Sequence, residues 1–149
     1  MQAIIFTGIQ ASGKSTFYQQ RFFSTHLRLS LDMLNTRNKE ARLLECCLAL
    51  QQRFVIDNTN PTVDDRARYI APAKERKYQV VGYYFQTDLQ SAIERNAGRA
   101  GKACIETAGI LATHRRLQLP SFAEGFDELF YVRIANGTFE VSPWMTHEV

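Results

Sequence analysis

Gly8-Ile9-Gln10-Ala11-Ser12-Gly13-Lys14-Ser15 decides the reading of this chain. The run fits G-x-x-x-x-G-K-[ST], the phosphate-binding P-loop. Its surroundings fit as well. Ala3-Ile4-Ile5-Phe6-Thr7 reads as a buried strand leading straight into Gly8, and a helical pattern runs from Gly13 to about Phe23. Gly8 and Gly13 allow backbone conformations closed to other residues, so successive N–H groups can turn inward. Those donors and the positive helix terminus cradle phosphates. The expected nucleotide-binding set is Gly8, Ala11, Ser12, Gly13, Lys14, Ser15 and Thr16. Lys14 reaches the outer phosphates, and the Ser15 hydroxyl is placed to ligate Mg²⁺, with Thr16 as the alternative.

Outward from the loop, apolar runs alternate with helical patterns to the end of the chain, which points to an α/β fold with a parallel sheet covered by helices. His26 to Ser30 is a short strand, and a helix follows from about Glu40 to Gln52 with Ala41, Leu44, Cys47, Leu48 and Leu50 on its buried side. Arg53 to Asp57 is a third strand. Thr62 and Asp65 have capping-box spacing and open a helix that Pro72 kinks or ends. Gln79 to Phe85 is a fourth strand, with Tyr83, Tyr84 and Phe85 expected in the core. Thr87 with Gln90 caps a helix striped by Leu89, Ala92 and Ile93. A helix spans about Ile105 to Leu117, Leu129 to Ile134 is a fifth strand, and Asn136-Gly137 turns into Thr138 to Val141 as a hairpin.

A P-loop alone does not separate a kinase from an ATPase or a GTPase. Asn38-Lys39-Glu40 breaks the guanine-reading Asn-Lys-x-Asp pattern, and 149 residues leave no room for the extra machinery of most motor ATPases. Asp32 follows the second strand. In a doubly wound sheet, strand ends on one side line one crevice, so Asp32 faces the phosphates there and can accept the proton of an attacking hydroxyl; a plain helix N-cap is the other reading of the same position. Asp57 ends an apolar strand at a Walker-B-like place, from which a carboxylate holds a metal or its waters. Asn58-Thr59-Asn60-Pro61 offers amides and a hydroxyl at the same rim, or makes a polar turn closed by proline. Arg95 and Arg99 share a face if their helix continues that far, flanked by Gly98 and Gly101. Arginines on a lid over about 95–105 stabilise charge on a transferring phosphoryl group.

Composition bounds these readings. At 45% apolar and 22% charged, the chain suits one compact domain over residues 1–149 and excludes disordered and fibrous classes. No apolar run approaches the roughly 20 residues that cross a membrane. Ala3 to Phe6 is too short for a secretory signal and lacks a basic flank, so cytoplasm is expected. Cys46, Cys47 and Cys104 form no disulfide framework, and His26, His114 and His147 pair with no cysteine at zinc spacing. Cys46 and Cys47 read as core. The net charge of +3 is unevenly placed. Arg95, Arg99, Lys102, Arg115 and Arg116 against Glu106 make that segment +4 and leave the rest at −1. Thirteen of the eighteen basic residues are arginine, the side chain that suits bidentate phosphate contacts.

The P-loop, Asp32, Ile56-Asp57-Asn58-Thr59-Asn60-Pro61, Arg95 with Arg99, and Pro120 followed by Glu124-Gly125-Phe126 occur in one order. That order resembles the 5′-kinase domain of polynucleotide kinase/phosphatases and their stand-alone bacterial relatives, over about residues 2 to 135. The resemblance implies a P-loop kinase fold of five strands in order 2-3-1-4-5, with a helical lid. It implies transfer of a phosphoryl group from ATP or another nucleoside triphosphate, with Mg²⁺, to a 5′-hydroxyl of DNA or RNA. By position, Lys14 and Ser15 hold the triphosphate and metal, Asp32 is the general base, and Arg99 is the lid arginine with Arg95 as helper. Asn58, Thr59 and Asn60 stand at the substrate rim. The family's substrate-gripping arginine, just before or a few residues after the aspartate, is here Leu31 or Asn35, and Arg37 is the candidate replacement. A small-molecule kinase acting on a nucleoside, sugar or other metabolite uses the same parts, and a slow nucleotide-binding switch is a third reading. The base pocket is sought at the Asn136 hairpin or the basic helix around Arg115 and Arg116.

Overall fold

The computed structural model describes residues 1–101 and 105–145, so Lys102, Cys104 and His147 lie outside the described residues. Six strands form one sheet: β1 (Gln2–Thr7), β2 (Leu27–Leu29), β3 (Phe54–Ile56), β4 (Gln79–Phe85), β5 (Glu128–Ala135) and β6 (Thr138–Pro143). Their order is β2-β3-β1-β4-β5-β6. The first five are parallel and in the expected order. The sixth is the second arm of the Asn136-Gly137 hairpin and pairs antiparallel with β5. Asn136 and Gly137 both take positive φ, at 52° and 75°, as a tight hairpin turn requires.

Alternation along β1 divides the core between the two sheet faces. Ala3 and Ile5 face Leu44, Cys47 and Leu48 of α3 (Arg37–Leu50) and Tyr69, Ile70 and Ala73 of α4 (Val63–Glu75). Ile4 and Phe6 face Phe17 and Tyr18 of α1 (Lys14–Arg21). This second face is largely aromatic: Phe6 meets Phe17 at 5.9 Å and Phe85 at 4.9 Å between ring centroids, both edge-on. Tyr83 joins that cluster and Tyr84 packs on the opposite side, as core residues do. Edge-to-face pairs add about 1 kcal/mol each beyond area burial. They hold the helix that carries Lys14 and Ser15 firmly on the sheet.

The chain departs from the sequence-based reading in several places. A four-residue helix, α2 (Leu31–Leu34), separates β2 from α3 and carries Asp32. The buried stripe of α3 is Glu40, Leu44, Cys47 and Leu48, while Ala41, Cys46 and the 71% exposed Leu50 face outward. The stripe begins on a carboxylate because partners from other elements satisfy it, which hydrophobic periodicity cannot reveal. Pro72 does not end α4, which runs on to Glu75: the proline sits in the final turn, where one lost hydrogen bond is tolerated. The helix α5 (Leu89–Ala97) is capped by Asp88, whose carboxylate accepts from Ser91 N, and not by Thr87. The helix α6 spans Thr107–Arg116. Thr62 and Asp65 do form the reciprocal capping box.

A buried ion pair fastens α4 to the turn before β5. Arg66, fully buried, donates from Nε and Nη2 to the two carboxylate oxygens of Glu124, at 2.8 and 3.1 Å, and from Nη1 to the Asn60 carbonyl at 2.9 Å. Removing one partner strands a buried charge. Arg66→Met should therefore lower stability by about 3 kcal/mol or more in urea denaturation. An unshifted midpoint would contradict that role.

Candidate active site

The site lies where the chain reverses its winding direction, at the C-terminal ends of β1 and β3. A cleft of about 640 Å³ opens there between the P-loop, the start of α2 and the turn after β3. The loop's two glycines act differently. Gly13 has φ of +94°, and a Cβ there would stand 2.9 Å from the Phe139 ring. Gly8 has no positive φ. Its requirement is space, since a Cβ would stand 2.9 Å from both Phe85 Cβ and Ser12 Oγ. Ala11 holds a left-handed conformation, φ 62°, which an L-residue adopts at a cost of about 1 kcal/mol.

Lys14 is buried, and its ammonium donates to the carbonyls of Gly8 and Ile9, at 2.9 and 2.8 Å, and to Ser12 Oγ at 3.3 Å. Burial lowers its pKa to about 8. Asp57 and Asp32 pull it back up, while Arg99 pushes it further down. Lys14, Asp57, Asp32 and Arg99 therefore share one electrostatic neighbourhood, and all four line the cleft. Ser15 Oγ donates to Asp57 Oδ2 at 2.9 Å. Thr16 instead lines a second cavity, which leaves Ser15 as the hydroxyl beside the carboxylate. A hydroxyl paired with a carboxylate is an oxygen donor set that fits a hard divalent cation.

Asp32 sits in the first turn of α2, where its backbone N–H is capped by the Ser30 hydroxyl. Ser30 is thus the N-cap, and Asp32 is not. Asn58 fixes this turn: its Oδ1 accepts from Leu31 N at 2.9 Å and its Nδ2 donates to Glu40 Oε2 at 2.8 Å. Tyr69 donates to Glu40 Oε1 at 2.8 Å, and Arg37 donates to Glu40 and to the Tyr69 hydroxyl. Arg37, expected to reach substrate, is turned into this network and does not line the cleft. Asn60 is buried and donates to the Phe6 carbonyl at 2.8 Å, below the rim. Thr59 does reach the cleft, and its carbonyl accepts from Gly8 N at 3.0 Å, tying the rim to the P-loop.

Arg95 donates from Nε to the Ala11 carbonyl at 2.8 Å, so α5 is latched onto the strained point of the loop. From α6, Thr113 Oγ1 accepts from Gln10 Nε2 at 2.9 Å. The helix α5 stops at Ala97, so Arg99 lies past its end and not on a shared helical face. Both arginines nonetheless line the second cavity, of about 360 Å³, with Thr16, Gln20, Gly137, Thr138 and Phe139. This cavity lies beside the Asn136-Gly137 hairpin, whereas Arg115 and Arg116 are exposed on α6. Sequence reasoning missed Arg28, which lines the main cleft and bonds Asp57 Oδ2 at 2.8 Å. Its signal was a charged residue alternating between two leucines in a three-residue strand four positions before Asp32.

Fold and site together define a P-loop kinase-like domain, an α/β sheet flanked by helices. A family model described as an AAA domain matches residues 30–120, and the chain belongs to that family. The matched stretch includes Asp32, the Asp57–Pro61 turn, Arg95 and Arg99. The chain is 26% identical over 129 residues to the bifunctional polynucleotide phosphatase/kinase of Schizosaccharomyces pombe, covering 84% of this chain and 32% of that protein. It therefore spans about a third of that relative. Among solved structures, Kti12 of Chaetomium thermophilum in complex with ADP-AlF3 superposes with a TM-score of 0.66 at 17% identity, covering 88% of each chain. A gluconokinase from Sinorhizobium meliloti superposes at 0.65 with 14% identity, covering 91% of this chain and 83% of its own. At these identities the likeness is one of fold. Among the described residues no helix is long and apolar enough to cross a membrane.

The lowered Lys14 pKa sets a sign for pH dependence. Below about 8 the ammonium is already charged and receives phosphates without proton uptake. Above that value the free protein has lost the proton, while bound phosphates raise the pKa and recover it. Triphosphate affinity should fall as pH rises through 8, with proton uptake seen by calorimetry at pH 8.5 in two buffers of different ionisation heat. Binding without proton uptake at that pH would contradict this reading of Lys14.

Proposed function

We propose that the chain transfers the γ-phosphoryl group of ATP, or of another nucleoside triphosphate, to an alcohol, and that the alcohol is the 5′-hydroxyl end of DNA or RNA. The observation that carries this is Asp32 on the wall of the same cleft that the P-loop lysine lines, near enough for its charge to offset part of the burial that lowers the Lys14 pKa. In this reading the loop amides and Lys14 hold the triphosphate tail. Asp32 accepts the proton of the acceptor hydroxyl, and Asn58 with Glu40 and Tyr69 holds Asp32's helix at the right height. Arg99 neutralises the phosphoryl group in transit, with Arg95 fastening the lid segment 95–105 to Ala11; residues 102–104 of that segment lie outside the described residues. Ser15 and Asp57 would hold Mg²⁺, whose chemistry is to neutralise phosphate charge. The base occupies the cavity between Arg95 and Phe139, beside Thr16. The sequence match to the yeast polynucleotide phosphatase/kinase supports the nucleic-acid acceptor.

A metabolite acceptor is the second reading, and a specific observation favours it. Leu31 and Asn35 stand where a substrate-gripping arginine is expected, and Arg37 is committed to Glu40 and Tyr69. The two readings separate by assay. Incubation with γ-labelled ATP and Mg²⁺, offering 5′-hydroxyl DNA, 5′-hydroxyl RNA and a metabolite panel in parallel, should label an oligonucleotide, and binding of that oligonucleotide should weaken steeply with salt. Label on a metabolite alone would overturn the nucleic-acid reading.

Asp32→Asn should keep nucleotide affinity and lose about 10²- to 10⁴-fold in transfer rate, the usual worth of a general base. Unchanged turnover in that variant would remove Asp32 from the chemistry.

A further inference from the structure

Arg28 stands between the two residues that a metal would need. Its Nε donates to Asp57 Oδ2 at 2.8 Å, and its Nη2 donates to Ser15 Oγ at 3.0 Å. The remaining nitrogen, Nη1, lies 3.9 Å from the Met33 sulfur on α2. Ser15 Oγ also donates to the same Asp57 oxygen, so hydroxyl, carboxylate and guanidinium close a triangle. The Asp57 side chain is only 2% exposed, and that of Arg28 is 23% exposed. A carboxylate so deeply buried requires a cation against it, and here the chain supplies its own.

The cleft's charge extends the argument. Its lining holds Lys14, Arg28 and Arg99 against Asp32 and Asp57, three positive groups and two negative, a sum of +1. A bare divalent cation approaching Ser15 and Asp57 would meet a positive cleft and a carboxylate already paired. A triphosphate reverses both conditions. It brings several negative charges, and it offers the guanidinium another anion at the moment Asp57 is approached by the metal.

We propose that Arg28 is a built-in counter-cation of the Ser15–Asp57 pair, so that a divalent metal enters this site only together with the nucleotide, displacing the guanidinium from Ser15. The proposal rests on the phosphotransferase reading for the nucleotide, but it concerns a residue that the chemistry of transfer does not require. It makes Arg28 a positioning residue for metal entry, distinct from the groups that touch the reacting atoms.

The test uses Mn²⁺ as the probe and the full chain without nucleotide, and reads the loss of the free-ion signal by electron paramagnetic resonance. Wild type should leave millimolar Mn²⁺ free. Arg28→Gln should take up one ion per chain at least tenfold more tightly, Asp57→Asn in that background should abolish the gain, and Arg28→Lys should restore exclusion. Equal Mn²⁺ affinity in wild type and Arg28→Gln would overturn the proposal. If Arg28→Gln fails to fold, the ¹⁵N-resolved Nε–H resonance of Arg28 in the wild type decides instead. It should shift on adding Mg²⁺ with ADP and stay still with Mg²⁺ alone. A resonance shifted by Mg²⁺ alone, or unmoved by Mg²⁺ with bound ADP, would overturn the idea. Failure of ADP to bind at all would be read separately, from its heat of binding, and would count against the phosphotransferase reading.

Discussion

A buried ammonium must have oxygen around it, and that need organises the whole site. Lys14 satisfies it with the Gly8 and Ile9 carbonyls and the Ser12 hydroxyl, all from the loop that a phosphate tail would occupy. The loop is folded around its own lysine. Phosphate oxygens can replace those three acceptors without any change in the fold, because the sheet on one side and the aromatic cluster under α1 on the other fix where the lysine begins. Burial makes the exchange favourable: the same desolvation that lowers the pKa to about 8 makes an anion a better partner than it would be in water.

Every other part of the site is positioned relative to that loop by a tether from a distant element. Asn58, just after β3, holds the start of α2, and with it Asp32. Thr59 holds Gly8 through its carbonyl. Arg95 from α5 holds Ala11, and Thr113 from α6 receives Gln10. On the outer side Phe139, on the hairpin strand, covers Gly13. These are hydrogen bonds and contacts worth about 1 kcal/mol apiece, yet most of them converge on the short stretch from Gly8 to Gly13. A small loop with positive φ at Ala11 and Gly13 is thereby held between the main cleft and the second cavity, both of which it lines.

The Glu40 network shows how the protein handles a buried carboxylate away from the phosphates. Glu40 is 1% exposed, and Tyr69, Asn58 and Arg37 all donate to it. Burial, followed by the neighbouring Glu40, drives the Tyr69 hydroxyl pKa up, so it stays a donor. The network consumes Arg37, which would otherwise face substrate, and leaves Arg28 and Arg99 as the guanidiniums at the cleft. Two buried acids, Glu40 and Asp57, thus have separate arginines. One arrangement holds a helix in place, and the other sits where a metal is expected.

What the sequence determined by itself was local. The P-loop, the strand leading into it, the capping box at Thr62, the Asn136-Gly137 hairpin and the five-strand order implied by the family resemblance all depend on residues near one another in the chain, or on a motif whose chemistry admits few folds. Asp57 was legible because it directly follows a strand, and Asp32 because it comes shortly after one. The tertiary structure decided what long side chains do. Arg37 bonds Tyr69, Arg28 turns to Asp57, Arg95 crosses to Ala11 and Asn60 reaches Phe6, each bond spanning elements that are remote in sequence. It also decided that Glu40 is core while Leu50 is not. The physical reason is that hydrophobic period and cap chemistry are set within a few residues. Whether a charged group is buried depends on which partners the packed sheet brings within about 3 Å of it, and that is a property of the fold as a whole.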